Sequence, residues 1–180
     1  MRVQEPDVAA HEEQLRVLFR EYHEWTKGEA VAAFEGSHVP EGTIQADYDI
    51  DGQIAEDLAA LSDPSSRDRV FVAVEDDAFV GCVILAWRGD LAAEIKRVYV
   101  RPGARGEGVG RALLERVIEA AEGMGCQRLV LHTGPFSEAA QSLYRDLGFE
   151  ETAPFEAEPP EAVHEDWIFM ERDNSEALDG

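Results

Sequence analysis

The sequence predicts a single mixed α/β domain, and three observations support this fold class. The 180 residues are 44% hydrophobic, which is enough apolar surface for one core. Short β-branched segments alternate along the chain with segments whose apolar residues recur at helical spacing. Near the middle, a predicted strand leads through a glycine-rich turn into a helix. Since no repeat or linker divides the chain, we expect one domain over residues 1–171 and a disordered tail over 172–180.

The first third of the chain is predicted to be a strand followed by helices. Residues 1–5 form the strand. A helix is expected over Val8–Trp25, because apolar residues recur at the spacing of one helical face at Leu15, Leu18, Phe19 and Tyr22. Residues 29–52 lack a pattern and are predicted as a loop with a short helical turn at most. A second helix over Ile54–Leu61 is ended by Ser62, Asp63 and Pro64.

The remaining elements alternate between strands and helices. Residues 70–74 and 80–87 are predicted to form a hairpin about Asp76 and Asp77, and residues 93–100 the next strand. Glycines are expected to end both later helices. The elements that follow are a helix over 108–122, a buried strand over 128–133, a helix over 137–147, a strand over 149–152 and an acidic loop over 154–165.

The turn over Arg105–Gly110 is predicted to bind an anion. Its sequence Arg-Gly-Glu-Gly-Val-Gly opens a helix, so several backbone N–H groups have no helical carbonyl to accept them. The glycines allow a ligand to approach that backbone closely. Because free donors at a helix N-terminus bind phosphate, the sequence predicts a phosphate site here.

The charge distribution supports the same prediction independently. The chain has 38 acidic and 16 basic residues, a net charge of −22, whereas residues 96–116 contain six basic and two acidic residues and sum to +4. The rest of the chain therefore sums to −26 and would repel an anion. Ordinary ion pairs on a helix face would account for Arg111, Glu115 and Arg116, but they do not explain three glycines at alternate positions.

These residues resemble the GNAT superfamily of acyl-CoA-dependent N-acyltransferases. Arg105, Gly108 and Gly110 match its Arg/Gln-x-x-Gly-x-Gly/Ala signature, and the preceding strand ends in Val-Tyr-Val-Arg-Pro, as in the family's fourth strand. Residues 140–149 match the second signature, Ala-x-x-Leu-Tyr-x-x-x-Gly-Phe, and a last strand is expected over 166–171. Ser137 stands where many members have Asn, and its hydroxyl can still cap the helix and bond the cofactor.

The resemblance implies both a fold and a reaction. The GNAT fold is an α/β (α+β) arrangement with a central, mixed, mostly antiparallel sheet of six to seven strands, splayed at the cofactor site and flanked by about four helices. The reaction is transfer of an acetyl group from acetyl-CoA to a primary amine of a small molecule, amino acid or peptide, by direct attack in a ternary complex. The alternative is a non-catalytic acyl-CoA-binding sensor or regulatory module.

The resemblance also implies which residues bind acetyl-CoA. The backbone of the glycine-rich turn holds the pyrophosphate, and the end of the preceding strand holds the amides of pantetheine, which resemble a peptide. The predicted cofactor-binding residues are Val98, Tyr99, Val100, Arg105, Gly106, Glu107, Gly108, Val109, Gly110, Arg111, Ser137 and Ala140.

Two side chains are predicted to be catalytic. Tyr144 is where the family has a phenol near the cofactor sulfur, able to protonate the thiolate. Glu94 is the candidate base, because an alkyl ammonium has a pKa of about 10.4 and only the neutral amine is nucleophilic. Burial is expected to raise the pKa of Glu94. An ion pair of Glu94 with Lys96 or Arg97 is an equal alternative, and a water chain can replace a single base.

Other residues are predicted to be structural or to shape the acceptor pocket. The histidines lack metal-ligand spacing, so no metal is expected, and His132 is interpreted as a strand histidine, although its position would also let it line the cleft. Cys82 and Cys126 are predicted core residues and not a disulfide. An aromatic, acid-lined pocket for a cationic amine is expected from Tyr22, Trp25, Phe34, Asp47, Tyr48 and Asp49.

The general acidity has its own implications. Two lysines, fourteen arginines and acids spread along the whole chain are typical of halophilic proteins, since molar salt shortens the Debye length to ~3 Å and screens self-repulsion. Such acidity argues against a nucleic-acid partner. With no run of about 18 apolar residues and no signal-peptide core, we expect no membrane partner and a cytoplasmic location. The sequence leaves open a monomer or a homodimer.

Overall fold

Seven strands and four α-helices are formed by residues 1–44, 48–155 and 165–175, the parts of the chain that the computed structural model describes. A 3₁₀ turn, Pro102–Ala104, follows the fourth strand. The strands are β1 (Arg2–Gln4), β2 (Arg69–Glu75), β3 (Ala78–Trp87), β4 (Ala92–Val100), β5 (Arg128–Thr133), β6 (Glu150–Glu151) and β7 (Ile168–Asp173). The helices are α1 (Glu12–Phe34), α2 (Ile50–Ser62), α3 (Val109–Gly123) and α4 (Glu138–Asp146).

All seven strands belong to one sheet with the order β1-β2-β3-β4-β5-β7-β6. Every neighbouring pair is antiparallel except β4 and β5, which are parallel. The β2–β3 hairpin turns at Asp76 and Asp77, whose φ angles of 48° and 61° are the left-handed values that a tight hairpin turn requires. The predicted hairpin and the expected mixed, mostly antiparallel sheet flanked by four helices are confirmed.

The sheet opens between β4 and β5. Their parallel pairing covers only three residue pairs, the last being Glu94 with Val130. Beyond that pair β4 runs on to Val100 and β5 to Thr133, so the two strands separate and leave a wedge between them. The wedge turns the backbone groups of one edge of β4 toward open space, and it fixes the position of the candidate site.

A β-bulge in β4 lies at the side of the wedge. Cys82 pairs with Tyr99 and Ile84 with Lys96, so β4 has one more residue than β3 between these pairs. Arg97 takes up the extra length with a φ of 55°, a left-handed conformation that is uncommon for a residue with a Cβ. Its guanidinium Nε donates to Asp57 Oδ2 of α2 at 2.7 Å, and both residues are buried. Helix α2 therefore holds the bulge in place.

The helices cover the sheet on both faces, and β2 shows which face each helix covers. Val70, Val72 and Val74 point to the face that packs with α1 and α2. Phe71 and Ala73 point to the other face, which packs with α3 and α4. Cys82 and Cys126 are buried free thiols, as predicted. None of the helices in the described part of the chain combines the length and hydropathy that a membrane span requires.

Several predicted boundaries are wrong. Helix α1 begins four residues late and continues nine residues past Trp25, because Ala30 and Phe34 find buried partners in Trp167 and Phe169 from the far end of the chain. The predicted loop over 29–52 is therefore helical at both ends. Helix α2 begins at Ile50, where Asp49 Oδ1 accepts a hydrogen bond from the Gly52 N–H at 3.0 Å.

The C-terminal boundaries also differ. Strand β7 begins two residues later than expected and runs to Asp173, two residues beyond the predicted end of the domain. Asn174 is buried after it. Most of the predicted acidic loop, residues 156–164, and the end of the predicted tail, residues 176–180, lie outside the described residues.

Candidate active site

Two adjoining cavities, together called the cleft, lie at the wedge. The first, here called the outer groove, has a volume of about 510 Å³ and lies between the end of β4, the glycine-rich turn and α4. The second, the inner cavity, measures about 50 Å³ and lies between β4 and β5 against α1. The two cavities share the residues at their junction, which are Trp25, Val98, Phe136, Ser137 and Ala140.

The floor of the outer groove is a cradle of backbone N–H groups. The first hydrogen bond of α3 runs from Ala112 N to Gly108 O at 3.0 Å, so the N–H groups just before Ala112 have no acceptor in the helix. Gly106 and Gly108 have φ angles of 83° and 81°, and a Cβ on either would meet no described atom within 4 Å. Free donors beside open space at a helix N-terminus suit phosphate oxygens, as the sequence predicts.

Arg105 forms part of the groove wall. Its Nε donates to the Val100 carbonyl at 2.9 Å, and its guanidinium carbon lies 5.3 Å from the Trp25 ring centroid and 5.9 Å from that of Tyr99. Helix α1 is fixed to the same end of β4, because Arg101 donates to both oxygens of Glu21 at 2.8 Å. Trp25 therefore stands beside the groove and is held there by charge pairs and ring contacts.

The outer groove contains eleven of the twelve residues predicted to bind the cofactor, and Glu107 is the one that does not line it. Ser137 is at the N-cap position of α4, but its side chain makes no capping hydrogen bond, so that expectation is wrong. Among the lining residues that were not predicted, Leu143 belongs to the second signature, whereas Trp25 and Phe136 have no local signal. The missed lining residues are Trp25, Ala104, Phe136, Glu138, Ala139 and Leu143.

The inner cavity is lined by side chains from distant parts of the chain. Tyr144 is one of them; it is 5% exposed, and burial raises the pKa of its phenol, so the hydroxyl keeps its proton at neutral pH. The other described lining residues are Tyr22, Trp25, Thr26, Ile95, Lys96, Arg97, Val98, His132, Thr133, Gly134, Phe136, Ser137, Ala140 and Trp167.

The expected aromatic, acid-lined pocket is only partly present. Tyr22 and Trp25 line the cavity, whereas Phe34 and Tyr48 pack beside it in the cluster that contains Trp167. Asp49 caps α2, and Asp47 lies outside the described residues. The described lining residues include no carboxylate.

Glu94 lies behind the inner cavity and does not line it. Its side chain is 0% exposed and accepts hydrogen bonds from Arg88, with Nε at 2.7 Å, and from His132 Nδ1 at 3.0 Å. Burial raises the pKa of Glu94, but the hydrogen bonds and charges of His132 and Arg88 together outweigh it, so the pKa lies below its ordinary value. The predicted rise is therefore wrong. Lys96 and Arg97, the partners considered for Glu94, both contact Asp57.

His132 lies on the β5 side of the wedge, one residue before the end of β5. It lines the inner cavity with a side chain that is 12% exposed, and its ring centroid is 5.8 Å from that of Trp167. Nδ1 pairs with Glu94, while Nε2 has no hydrogen-bond partner among the described residues. The interpretation as a strand histidine missed this pairing, because residues 94 and 132 meet only through the β4–β5 contact.

Metal-ligand geometry is not found in the described residues. Over 1–44, 48–155 and 165–175, no three His, Cys, Asp or Glu side chains come close enough together to hold a metal ion. The arrangement of the cleft instead supplies a phosphate cradle, a strand edge, a neutral phenol and an imidazole. These groups can bind a phosphorylated ligand and move protons at its far end.

Three comparisons relate the chain to known proteins. The family model described as Acetyltransferase (GNAT) family matches residues 13–149. An IAA acetyltransferase of Azospirillum brasilense is 36% identical over 117 residues, which are 64% of this chain and 73% of that protein. An uncharacterized N-acetyltransferase of Schizosaccharomyces pombe is 29% identical over 119 residues, 64% of this chain and 71% of that protein. The crystal structure of the PaiA N-acetyltransferase of Thermoplasma acidophilum with coenzyme A has the same fold, with a TM-score of 0.67 over 96% of this chain and 98% of that one at 17% identity.

Proposed function

Because the chain belongs to the GNAT family of acetyltransferases and is an acetyl-CoA-dependent acyltransferase, we propose that it acetylates a primary amine by direct attack within a ternary complex. The observation that carries this proposal is that the outer groove and the inner cavity adjoin, since five residues line both. A phosphate cradle lies at the outer end of the cleft and Tyr144 at its inner end, and the two cavities share one junction. In this proposal the thioester lies at that junction.

The outer groove holds acetyl-CoA in this proposal. The backbone of residues 105–111 receives the pyrophosphate, because the N–H groups just before Ala112 lack a helical acceptor and the positive helix end favours negative charge. The Arg105 N–H is not one of these donors, since it bonds to the Pro102 carbonyl at 3.3 Å. Val98, Tyr99 and Val100 receive the amides of pantetheine along the edge of β4 that faces the wedge, in the way that an extra strand adds to a sheet. Ser137 and Ala140 adjoin the thioester. Glu107 is the one residue predicted to bind the cofactor that does not line the groove.

Tyr144 serves as the acid in this proposal. When the amine nitrogen bonds to the carbonyl carbon, the C–S bond breaks and the sulfur leaves with the electron pair. The phenol donates its proton to that sulfur and regains one from the nitrogen of the adduct, which carries two protons at that stage. A neutral phenol suits this role, because the raised pKa keeps it protonated throughout the working range.

The acceptor enters through the inner cavity. At about 50 Å³ this cavity admits the amino end of an acceptor, while the rest of the molecule has to extend outside. A small amine, an amino acid and a peptide N-terminus or lysine side chain all satisfy that condition. The acceptor class is therefore the first quantity to measure.

The test is release of free thiol from acetyl-CoA over a panel of amines, amino acids and peptides. We propose that the acidic surface is suited to high salt, so the assay is run in molar potassium chloride. Acceptor-dependent thiol release is the expected result and identifies the acceptor class. Saturable binding of CoA without release for any acceptor would instead favour an acyl-CoA sensor, and failure to bind CoA would overturn the proposal.

A further inference from the structure

We propose that His132 is the general base of the reaction and that Glu94 is a positioning residue that orients its ring. The inference rests on the proposed acetyl transfer and concerns the group that removes a proton from the acceptor ammonium. It reassigns the role that the sequence alone suggests for Glu94.

Accessibility distinguishes the two candidates. The Glu94 side chain is 0% exposed and lines neither cavity, so its oxygens have no contact with space that an acceptor can enter. His132 lines the inner cavity together with Tyr144, the proposed acid. A general base has to reach the proton that it removes, directly or through one water molecule. His132 meets this condition and Glu94 does not.

Hydrogen bonding fixes which ring nitrogen is the base. Glu94 is an acceptor-only carboxylate, so the 3.0 Å contact with His132 Nδ1 requires Nδ1 to carry a proton. In the neutral ring, Nε2 then has the lone pair. Nε2 has no partner among the described residues, which leaves it available to the cavity. Carboxylate and imidazole therefore have the geometry of an oriented histidine base.

Arg88 keeps the carboxylate in its charged state. Its guanidinium contacts Glu94 on the side away from His132, and the pair is attached to the part of the sheet where β4 and β5 are still joined. When His132 takes up a proton, the resulting imidazolium is stabilised by the Glu94 charge. Glu94 keeps its charge throughout, since Arg88 and His132 both hold its pKa low.

Other residues that line the inner cavity also affect the loss of a proton from the bound ammonium. Lys96 and Arg97 on β4 are cationic and share Asp57, so they favour loss of a proton from a bound ammonium. Tyr22 from α1 and Tyr144 from α4 are neutral phenols with raised pKa values. Trp167 and Phe169 pack against the His132 ring and hold it at the wedge.

The proton balance is complete without any further group. The ammonium gives one proton to Nε2 of His132, and the neutral amine then attacks the thioester carbonyl. The second proton goes from nitrogen to sulfur through Tyr144, giving amide and free thiol. His132 finally releases its proton to solvent through the exposed side of the cavity, so one proton is released per turnover.

The experiment is the pH dependence of kcat/KM for the acceptor, in the wild type and in His132→Gln. For the wild type we expect a plateau in kcat/KM. The base removes the proton from the bound ammonium, so the rate does not follow the small fraction of free amine in solution. The variant is expected to lose about 10²- to 10³-fold at neutral pH, within the range for a general base. Its rate should then rise about tenfold per pH unit toward the amine pKa of about 10, since only the free amine reacts.

Two further measurements separate a base from a structural residue. Weakly basic acceptors, which are already deprotonated at neutral pH, should restore most of the lost rate to His132→Gln. Glu94→Gln should keep the base but shift the acid limb of the profile to lower pH, because the charge that favours imidazolium is gone. His11→Gln is the matched control. His11 is half-buried at the N-cap of α1, remote from both cavities; its ring bonds to the Asp7 carbonyl and lies 5.5 Å from the Phe79 ring.

The outcomes are distinguishable from failure of the proposed function. If the wild type transfers acetyl groups while His132→Gln keeps the same rate and the same plateau, the assignment of the base is wrong and the acetyltransferase stands. If no acceptor is acetylated by the wild type, the proposed function itself fails. CoA binding by each variant reports whether it folds. If His132→Gln does not fold, the shift of the acid limb of the pH profile in Glu94→Gln decides whether His132 is the base.

Discussion

The two ends of the cleft are built in different ways. Ten of the seventeen described residues that line the outer groove come from one continuous segment, the end of β4 and the turn into α3, which supplies the cradle of backbone N–H groups. The other seven are Trp25 and residues of α4 and the segment just before it. The inner cavity is made of side chains from α1, β4, β5, α4 and the segment before β7. One end depends on local conformation, and the other depends on how distant elements pack.

This difference leads to different consequences for substitution. A change in the outer groove alters donors or backbone shape and should act on cofactor affinity. A change in the inner cavity alters proton transfer and should act on the rate at saturating cofactor. The Arg97 bulge joins the two ends, because β4 contributes residues to both cavities on either side of it, so a change there should act on stability first.

The largest effect is expected at the inner end, from Tyr144→Phe. The change removes one hydroxyl from a buried ring and leaves its packing against Phe149 in place. Because the leaving sulfur then has no positioned donor, kcat should fall by about 10²- to 10⁴-fold. The Kd for CoA, measured by calorimetry, should change by less than about threefold, since the phenol is not part of the outer groove.

Tyr48→Phe is the control for that change. Tyr48 is a partly buried phenol in the cluster beside the inner cavity, and its pKa is also raised by burial. It should lose no more than a few-fold in kcat. Equal losses in both variants would show that any buried phenol on this side matters, and the contrast between the two ends of the cleft would then rest on packing and not on proton transfer.

The next largest effect is expected at the Arg97 bulge, from Asp57→Asn. The change leaves the buried Arg97 guanidinium without its carboxylate, and removing one partner of a buried ion pair costs about 3–5 kcal/mol. Chemical denaturation measures the free energy of unfolding. Asp51→Asn is the matched control, because the Arg20–Asp51 pair is exposed and solvent screens it, so its loss should change the free energy of unfolding little. Similar losses in the two variants would contradict a special role for the bulge.

The same contrast explains how much the sequence predicts. The glycine turn, the strand before it and the α4 signature are each carried by a short stretch of chain, so eleven of the twelve residues predicted to bind the cofactor do line the outer groove. The β2–β3 hairpin and the buried strand β5 were also predictable, because turn residues and apolar runs are local signals.

What the sequence misses is tertiary. The extension of α1 to Phe34 depends on Trp167 and Phe169, more than 130 residues further along the chain. Glu94 was singled out, but its partners are Arg88 across a turn and His132 across the β4–β5 contact. Neither its low pKa nor its pairing with the histidine could therefore be derived from spacing. The bulge at Arg97 was likewise not predictable, because the residue with the left-handed φ is not a glycine.

A smaller effect is expected from Glu94→Gln on stability. A group whose pKa is lowered by folding stabilises the protein above its unfolded pKa, and that stabilisation is lost as pH falls through its folded pKa. At pH 7 the wild type should therefore be more stable than the variant by about 1.5–3 kcal/mol, the range for hydrogen bonds to a charged group. The difference should shrink as pH falls below about 4.5, the region where carboxylates titrate. Thermal unfolding at a series of pH values measures it, and a difference independent of pH would contradict the ion pairing.

The smallest effect is expected at the outer end, from Gly108→Ala, and it tests the backbone character of that end. A Cβ at φ 81° costs about 1–2 kcal/mol in stability, and here it also projects into the space above the cradle. The Kd for CoA should rise about tenfold, while kcat at saturating acetyl-CoA stays within about twofold.

Gly125→Ala separates strain from ligand contact, because Gly125 has a φ of 82° and equally open surroundings at the opposite end of α3. It should lose similar stability and bind CoA normally. If both variants lost CoA affinity to the same extent, the cradle would act through the stability of α3, and the distinction between a backbone end and a side-chain end would fail at the outer groove.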